Sequence, residues 1–314
     1  MSRAKLITLG ETMGLITQLG VGHVHNGEAM AFGIGGSESN VAIGVSRLGV
    51  PACWIGRLGE DPAGRLIRRE LRAEGVEVIA AEDPAPTGLM IRWRPSAGRG
   101  HVVYYRRESA GSHLRADDVP EELVAGATVL HATGITLALG AGPAGAVTRA
   151  IAVAREAGVT VSFDVNYRRA LWSEAAAAAA VTAVLPDCDV VCAGLDEARI
   201  LTGHTDAAQA AGALEALGPS QVLITLGERG CLARIDGTTF EVAAPLVTVL
   251  DTVGAGDAFV AGYLAELIAG GEPALRLATA VSAGSLAVTA PGDWEGMPDR
   301  AALARHATDE PVIR

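Results

Sequence analysis

From Thr128 onward the chain alternates short apolar runs with helix-length segments, and this alternation constrains the fold more than any other feature. The runs Thr128–His131, Val159–Phe163, Val190–Cys192 and Val222–Thr225 read as strands. Helical segments near 144–157, 173–184 and 196–216 lie between them. Strands that alternate with helices need right-handed crossovers, which gives an α/β fold: a parallel sheet with helices on both faces. Gly230–Ile235 and Thr239–Val242 read as a hairpin at the sheet's edge, and helices follow at 256–269, 272–288 and 299–306. At 314 residues a single large α/β domain, 1–314, accommodates the whole pattern.

The first third differs in character. Leu6–Leu9 is a short strand ending at Gly10, and residues 12–33 are glycine-rich with alternating side chains. The pair Gly35-Gly36 opens a helix that passes through Asn40 and stops at Gly49. Cys53–Gly56 is a strand; Asp61 and Pro62 supply the cap and first residue of a helix to Ala73; Gly75–Ile79 resumes a strand. Gly88–Arg94 and His101–Arg107 alternate in period two around a turn at 95–100. The segments 12–33 and 88–107 are therefore expected to form a small second sheet, a β lid, projecting from the core. The His23-x-His25 pair sits in this region, where strand histidines more often serve packing than metal.

Charge narrows the function. The 36 acidic residues exceed the 25 basic ones, for a net charge of -11, which excludes a general nucleic-acid surface. An anionic ligand must be held by local arginines and backbone dipoles. Lys5 is the only lysine, so the Gly-Lys-Ser/Thr phosphate loop is absent and Schiff-base chemistry is closed unless Lys5 serves. Four cysteines in apolar surroundings, with no Cys-x-x-Cys spacing, read as buried thiols. No stretch reads as a membrane span or secretory signal, and a cytoplasmic protein is expected.

Within this frame Asp251-Thr252-Val253-Gly254-Ala255-Gly256-Asp257 stands out, because small residues lead directly into an apolar helix. Amides at a helix start, with the helix dipole, bind anions, and glycines let the backbone approach closely. Asp257 falls in the first turn, placed to take a proton from a hydroxyl beside a bound phosphate. In parallel sheets ligands bind beyond the strands' carboxyl ends. Gly10-Glu11, Gly134, Asp164–Arg168, Thr225–Gly227 and the Asp251–Asp257 turn all fall there, which points to one crevice and to an enzyme.

Two glycine motifs, Gly35-Gly36-x-x-x-Asn40 and Asp251-Thr252-x-Gly254-Ala255-Gly256-Asp257, resemble the signatures of the ribokinase-like (PfkB) sugar kinases. Gly56–Gly64 and Leu223–Gly230 are similar to that family as well, so the resemblance spans essentially the chain. It implies a three-layer αβα core with a β lid and an ATP- and Mg²⁺-dependent phosphotransfer to a sugar. Val103–Ser112 and Asp164–Trp172 further resemble the 2-keto-3-deoxygluconate kinases of the family. The resemblance implies Asp257 as base and the amides of Gly254, Ala255 and Gly256 as anion hole. It implies Gly35, Gly36, Asn40, Tyr104, Arg106 and Arg168 on the sugar, and Thr225, Gly227, Gly230, Gly254 and Gly256 on the nucleotide. Glu197 resembles the acid of an Asn-x-x-Glu motif that holds Mg²⁺ through water, although Gly194 stands where that motif has Asn. Asp251 with Val249-Leu250 resembles a potassium (K⁺) site. Physically, a guanidinium fork suits a sugar carboxylate, and alternation puts Tyr104 and Arg106 on one strand face. A homodimer or higher homo-oligomer through the lid edges is expected. Another sugar such as fructose or ribose, a related ketodeoxy acid, or a non-catalytic sugar-binding role are the alternatives.

Overall fold

A computed structural model describes residues 4–96 and 99–307. In chain order the strands are β1 (Leu6–Leu9), β2 (Met13–Gln18), β3 (Met30–Gly35), β4 (Ala52–Gly59), β5 (Glu77–Asp83), β6 (Leu89–Ser96), β7 (Arg99–Tyr105), β8 (Val129–Thr133), β9 (Thr160–Asp164), β10 (Val190–Gly194), β11 (Gln221–Thr225), β12 (Cys231–Ile235) and β13 (Thr238–Val242). Among the described residues they form two sheets. The larger runs β13-β12-β11-β10-β9-β8-β1-β4-β5, parallel except for the β12 and β13 hairpin at one edge. The smaller runs β3-β2-β6-β7. Residues 97 and 98, at the tip of the expected 95–100 turn, lie outside the described residues.

Period-two alternation divides the core into two layers. Leu6, Trp54, Val129, Val190 and Leu223 point to one face of the large sheet, where helices Ser37–Arg47, Ala255–Ile268 and Pro273–Ala287 pack. Their neighbours Ile7, Cys53, Leu130, Val191 and Val222 point to the other, covered by helices Ala141–Ala157, Glu174–Val184 and Ala207–Glu215. Strands buried on both faces are near-continuous apolar runs, and these are so apart from buried polar residues such as Thr8, His131 and Ser162. The architecture is therefore a three-layer αβα core, and the four cysteine thiols are buried in it and free.

Two details depart from expectation. The segment 196–216 is two helices, Leu195–Thr202 and Ala207–Glu215, because Gly203 at φ 77° ends the first in the left-handed region. The short strand at Cys53 extends to Gly59, and the one after Gly75 runs from Glu77 to Asp83. Asp61 does cap its helix, accepting the Gly64 N–H at 2.8 Å with Pro62 in the first turn.

One helix crossing sets the site. A side chain at Gly44 would stand 2.6 Å from the Ala261 methyl, and one at Gly262 would stand 2.9 Å from the Ala280 backbone. Helix Ala255–Ile268 is thus wedged closely between Ser37–Arg47 and Pro273–Ala287. Close approach brings the first turns of the first two helices side by side, and the polar residues of both meet there.

Candidate active site

Asp257 lies in the first turn of helix Ala255–Ile268 and is 9% exposed. Ser37 Oγ donates to its Oδ1 at 2.6 Å, and Asn40 Nδ2 donates to its Oδ2 at 2.8 Å. Each oxygen keeps a further lone pair. Burial lifts the Asp257 carboxyl above the usual carboxylate range, while the Ser37 and Asn40 hydrogen bonds and the Arg168 charge pull it back. Gly254 precedes the helix at φ 77°, a conformation that costs other residues about 1–2 kcal/mol.

Asn166, beyond β9, extends this network. It has a positive φ of 42°, which Asn tolerates better than most residues. Its Nδ2 donates to Ser37 Oγ at 2.7 Å and to Asp164 Oδ2 at 3.1 Å. Burial pushes Asp164 well above the ordinary range, with the charges of Glu197 and Asp257 adding to it. Glu197 is raised by burial and held back by two backbone donors, Gly194 N and Tyr167 N, each at 2.7 Å. It therefore fastens the start of its own helix to the loop after β9. Gly194 leaves room instead of a clash: a Cβ there would sit 3.5 Å from Glu197 and 3.8 Å from Thr225.

Beneath the small sheet lies a cavity of 460 Å³ lined by Arg92, Tyr104, Asp164, Arg168, Glu197 and Asp257, with Thr225, Gly254 and Gly256 at its other end. A second space of 170 Å³ adjoins it, lined by Gly36, Asn40, Tyr104, Arg106, Arg168 and Asp257. A third, of 620 Å³ and largely apolar, holds Thr225, Gly227, Gly230, Ala255 and Gly256. The residues named from the sequence thus line one connected cleft, apart from Gly35, whose neighbour Gly36 reaches it.

Several have a structural reason of their own. A Cβ on Gly35 would overlap the Asp293 carboxylate, and one on Gly230 would overlap the Val242 carbonyl. Arg106, expected to face the cleft beside Tyr104 and meet the sugar, binds Glu11 Oε2 through Nη2 at 2.6 Å and Nε at 2.8 Å. Glu11 is 2% exposed and also accepts from Ser109 Oγ, so a buried acid claims this fork because burying it alone would be costly. Arg168 hydrogen-bonds the Tyr167 carbonyl at 3.2 Å and makes no ion pair with a described residue. The Asp251 carboxylate, likened to a potassium site, is bridged by Arg92 at 3.2 Å and Arg94 at 3.1 Å, while Val249 and Leu250 are exposed.

Ser37, Arg92, Asn166 and Asp293 escaped the sequence reading as individual site residues. For Arg92 a signal existed: alternation in β6 sets it on the face of Met90, and both are buried. Asp293 lies in a glycine-rich loop without periodicity, and no sequence signal marks it.

The chain belongs to the pfkB family of carbohydrate kinases, whose model matches residues 3–300. It is an ATP-dependent sugar kinase with the ribokinase-like fold. It is 35% identical over 306 residues to the 2-dehydro-3-deoxygluconokinase of Bacillus subtilis (strain 168), covering 95% of this chain and 94% of that one. It is equally 35% identical over 307 residues to the 2-dehydro-3-deoxygalactonokinase of Haloferax volcanii, covering 93% of this chain and 96% of the other. The ATP-bound crystal structure of fructokinase from Xylella fastidiosa superposes with a TM-score of 0.86 at 25% identity, covering 98% of this chain and 99% of that one. Among the described residues no helix is long and apolar enough to cross a membrane.

Proposed function

We propose that the chain transfers the γ-phosphoryl of ATP to the terminal hydroxyl of 2-keto-3-deoxygluconate, giving the 6-phosphate and ADP. The observation that carries this reading is the pairing, in one cleft, of a buried and pinned carboxylate at Asp257 with the guanidinium of Arg168, which makes no ion pair with a described residue. Asp257 takes the hydroxyl proton as the sugar oxygen bonds to the γ-phosphorus and the bond to the β–γ bridging oxygen breaks. The amides of Gly254, Ala255 and Gly256 face the charge on the transferring group, where each such donor is worth about a hundredfold in rate or more.

Arg168 and Tyr104 hold the sugar acid, with Gly36 and Asn40 beside its hydroxyls. Arg106 meets the carboxylate through whichever N–H groups Glu11 leaves free, so Arg168 carries the larger share. Thr225, Gly227 and Gly230 border the nucleotide in the apolar cavity. Asp164 and Glu197, both raised chiefly by burial, are carboxylate oxygen donors, the donor chemistry a hard Mg²⁺ prefers, and Glu197 would reach it through water. The metal would supply charge neutralisation on the phosphates. The outer face of the small sheet exposes Phe32, Val103 and Tyr105, which supports pairing of two copies there. Light scattering of the purified chain tests that.

The decisive experiment is coupled ADP formation across a panel of 2-keto-3-deoxygluconate, its galactonate epimer, fructose and ribose. The acid is expected to exceed the neutral sugars by about a hundredfold in kcat/KM, as one or two charged hydrogen bonds of about 1.5–3 kcal/mol each would give. Equal rates for fructose would remove the carboxylate reading. A faster epimer would move the assignment to that acid.

A further inference from the structure

The cleft must meet the charge of a transferring phosphoryl group, yet the only lysine of the chain, Lys5, is exposed at the start of β1. Two guanidinium groups line the cavity where the sugar and nucleotide ends join, Arg92 and Arg168. Arg168 stands with Tyr104 on the sugar side. That leaves Arg92, which β6 of the small sheet holds over the turn bearing Gly254 and Gly256.

Arg92 is 5% exposed and incompletely paired. Its Nη1 is shared by Asp251 Oδ2 and Asp293 Oδ1, each at 3.2 Å. Its Nε is buried without a partner among the described residues. The other well-buried arginines contrast with it. Arg57 gives Nε and Nη2 to Asp83 at 3.0 and 2.9 Å, and Nη1 to both oxygens of Asp118 at 2.8 Å. Arg106 gives Nε and Nη2 to Glu11. A buried guanidinium serving only as a brace has its donors satisfied, because an unmade hydrogen bond there is costly. Nε itself is closed off, but Arg92 lines the reaction cavity, and there its incompletely paired guanidinium can meet an incoming acceptor.

We infer that Arg92 is a catalytic residue whose guanidinium contacts the transferring phosphoryl group. The inference rests on the kinase reading of this cleft. Arg92 stays protonated throughout and forms no covalent bond; it supplies charge where the loose transition state spreads negative charge over the phosphoryl oxygens. Asp251 and Asp293 hold it in place between turnovers, and Arg94, which also binds Asp251, keeps that acid from claiming Arg92 alone.

The test compares wild type with Arg92→Ala and with Arg92→Met, which keeps the apolar packing beside Met90. Steady-state kinetics give kcat and both KM values. Calorimetry gives the affinity for Mg·ADP alone and for Mg·ADP with aluminium fluoride and the sugar acid, a mimic of the phosphoryl in flight. Both variants should lose about a hundredfold or more in kcat, with KM values within about threefold. Mg·ADP should bind as in wild type, the tightening by aluminium fluoride should vanish, and added guanidinium should restore part of the rate to Arg92→Ala. A kcat within threefold of wild type in either variant overturns the inference. So does a loss matched by equally weakened Mg·ADP binding without rescue, the signature of a brace. A wild-type chain that forms no ADP with any sugar would instead sink the kinase reading of the cleft, and the inference with it.

Discussion

The main-chain carbonyl of Asp293 fills the space where a side chain on Gly254 would stand. The carboxylate of the same Asp293 lies against Gly35, at the end of β3. One loop residue thus accounts for two glycines that the sequence suggested were reserved for ligand, and it ties the turn before Asp257 to the small sheet. Gly254→Ala should therefore fail twice, by a left-handed φ and by overlap with backbone that cannot yield. The expected outcome is a loss of about 2 kcal/mol or more in stability, with kcat down at least a hundredfold. Denaturant unfolding and steady-state rates check both; a fully active, equally stable variant would show that the turn is not held this way.

Asp257→Asn keeps the shape of the site and removes the proposed base. Turnover should fall by at least a thousandfold while Mg·ADP affinity stays within about threefold, since the nucleotide cavity is untouched. Ser37→Ala gives the finer test. Ser37 donates to Asp257 at 2.6 Å and holds its carboxyl down against burial. Without the hydroxyl that carboxyl rises further, so the acid limb of kcat/KM should move to higher pH. A hydrogen bond to a charged group, about 1.5–3 kcal/mol, corresponds to about one to two units. An unmoved acid limb would mean that another group sets it.

The fold was legible because its signals are local and repeated. Each parallel strand declares itself by an apolar run, and the alternation of Leu6 with Ile7 or Cys53 with Trp54 follows from burial on both faces. The two glycine motifs were legible for the same reason: they are short, contiguous turns. Partnerships across the chain were not. Nothing near Arg106 in the sequence announces that Glu11 will claim it, and nothing near Asp293 announces Arg92. Asn40 was named as a sugar contact; its Nδ2 donates to Asp257, a pairing set by helix packing at Gly44, while its Oδ1 has no partner among the described residues.

The two arginines near the sugar end should behave differently. Arg168→Ala removes a guanidinium with no acidic partner among the described residues, so KM for the acid sugar should rise about tenfold or more with little change in melting temperature. Arg106→Ala strands Glu11, whose carboxylate is buried, and breaking such a pair typically costs about 3–5 kcal/mol. Arg106→Ala should therefore melt several degrees lower, and Glu11→Gln in the same chain should recover part of that loss. If both single variants melt alike, the ion pair at Glu11 contributes no net stability.

The acids of the cleft make its stability depend on pH and metal. Burial raises Asp164, Glu197 and Asp257 above the ordinary carboxylate range and pushes Asp293 up to about 7. A carboxyl raised on folding contributes stability that is complete below its unfolded value, near 3.8 for Asp, and that is lost as pH climbs through the folded value. For Asp293 that window runs from about 4 to about 7. For Asp164 the charges of Glu197 and Asp257 add to burial, against the pull of Arg168. Asp164→Asn should thus gain stability over wild type as pH rises from 5 to 8, each unit within the window being worth up to about 1.4 kcal/mol. Mg²⁺ held at Asp164 and Glu197 as proposed would relieve the same repulsion, so it should raise the wild-type melting temperature more at pH 8 than at pH 5, and raise that of Asp164→Asn less. Thermal melts at both pH values, with Mg²⁺ and with a chelator, decide it. An advantage of Asp164→Asn that shrinks toward pH 8 would reverse the sign assigned to this carboxylate.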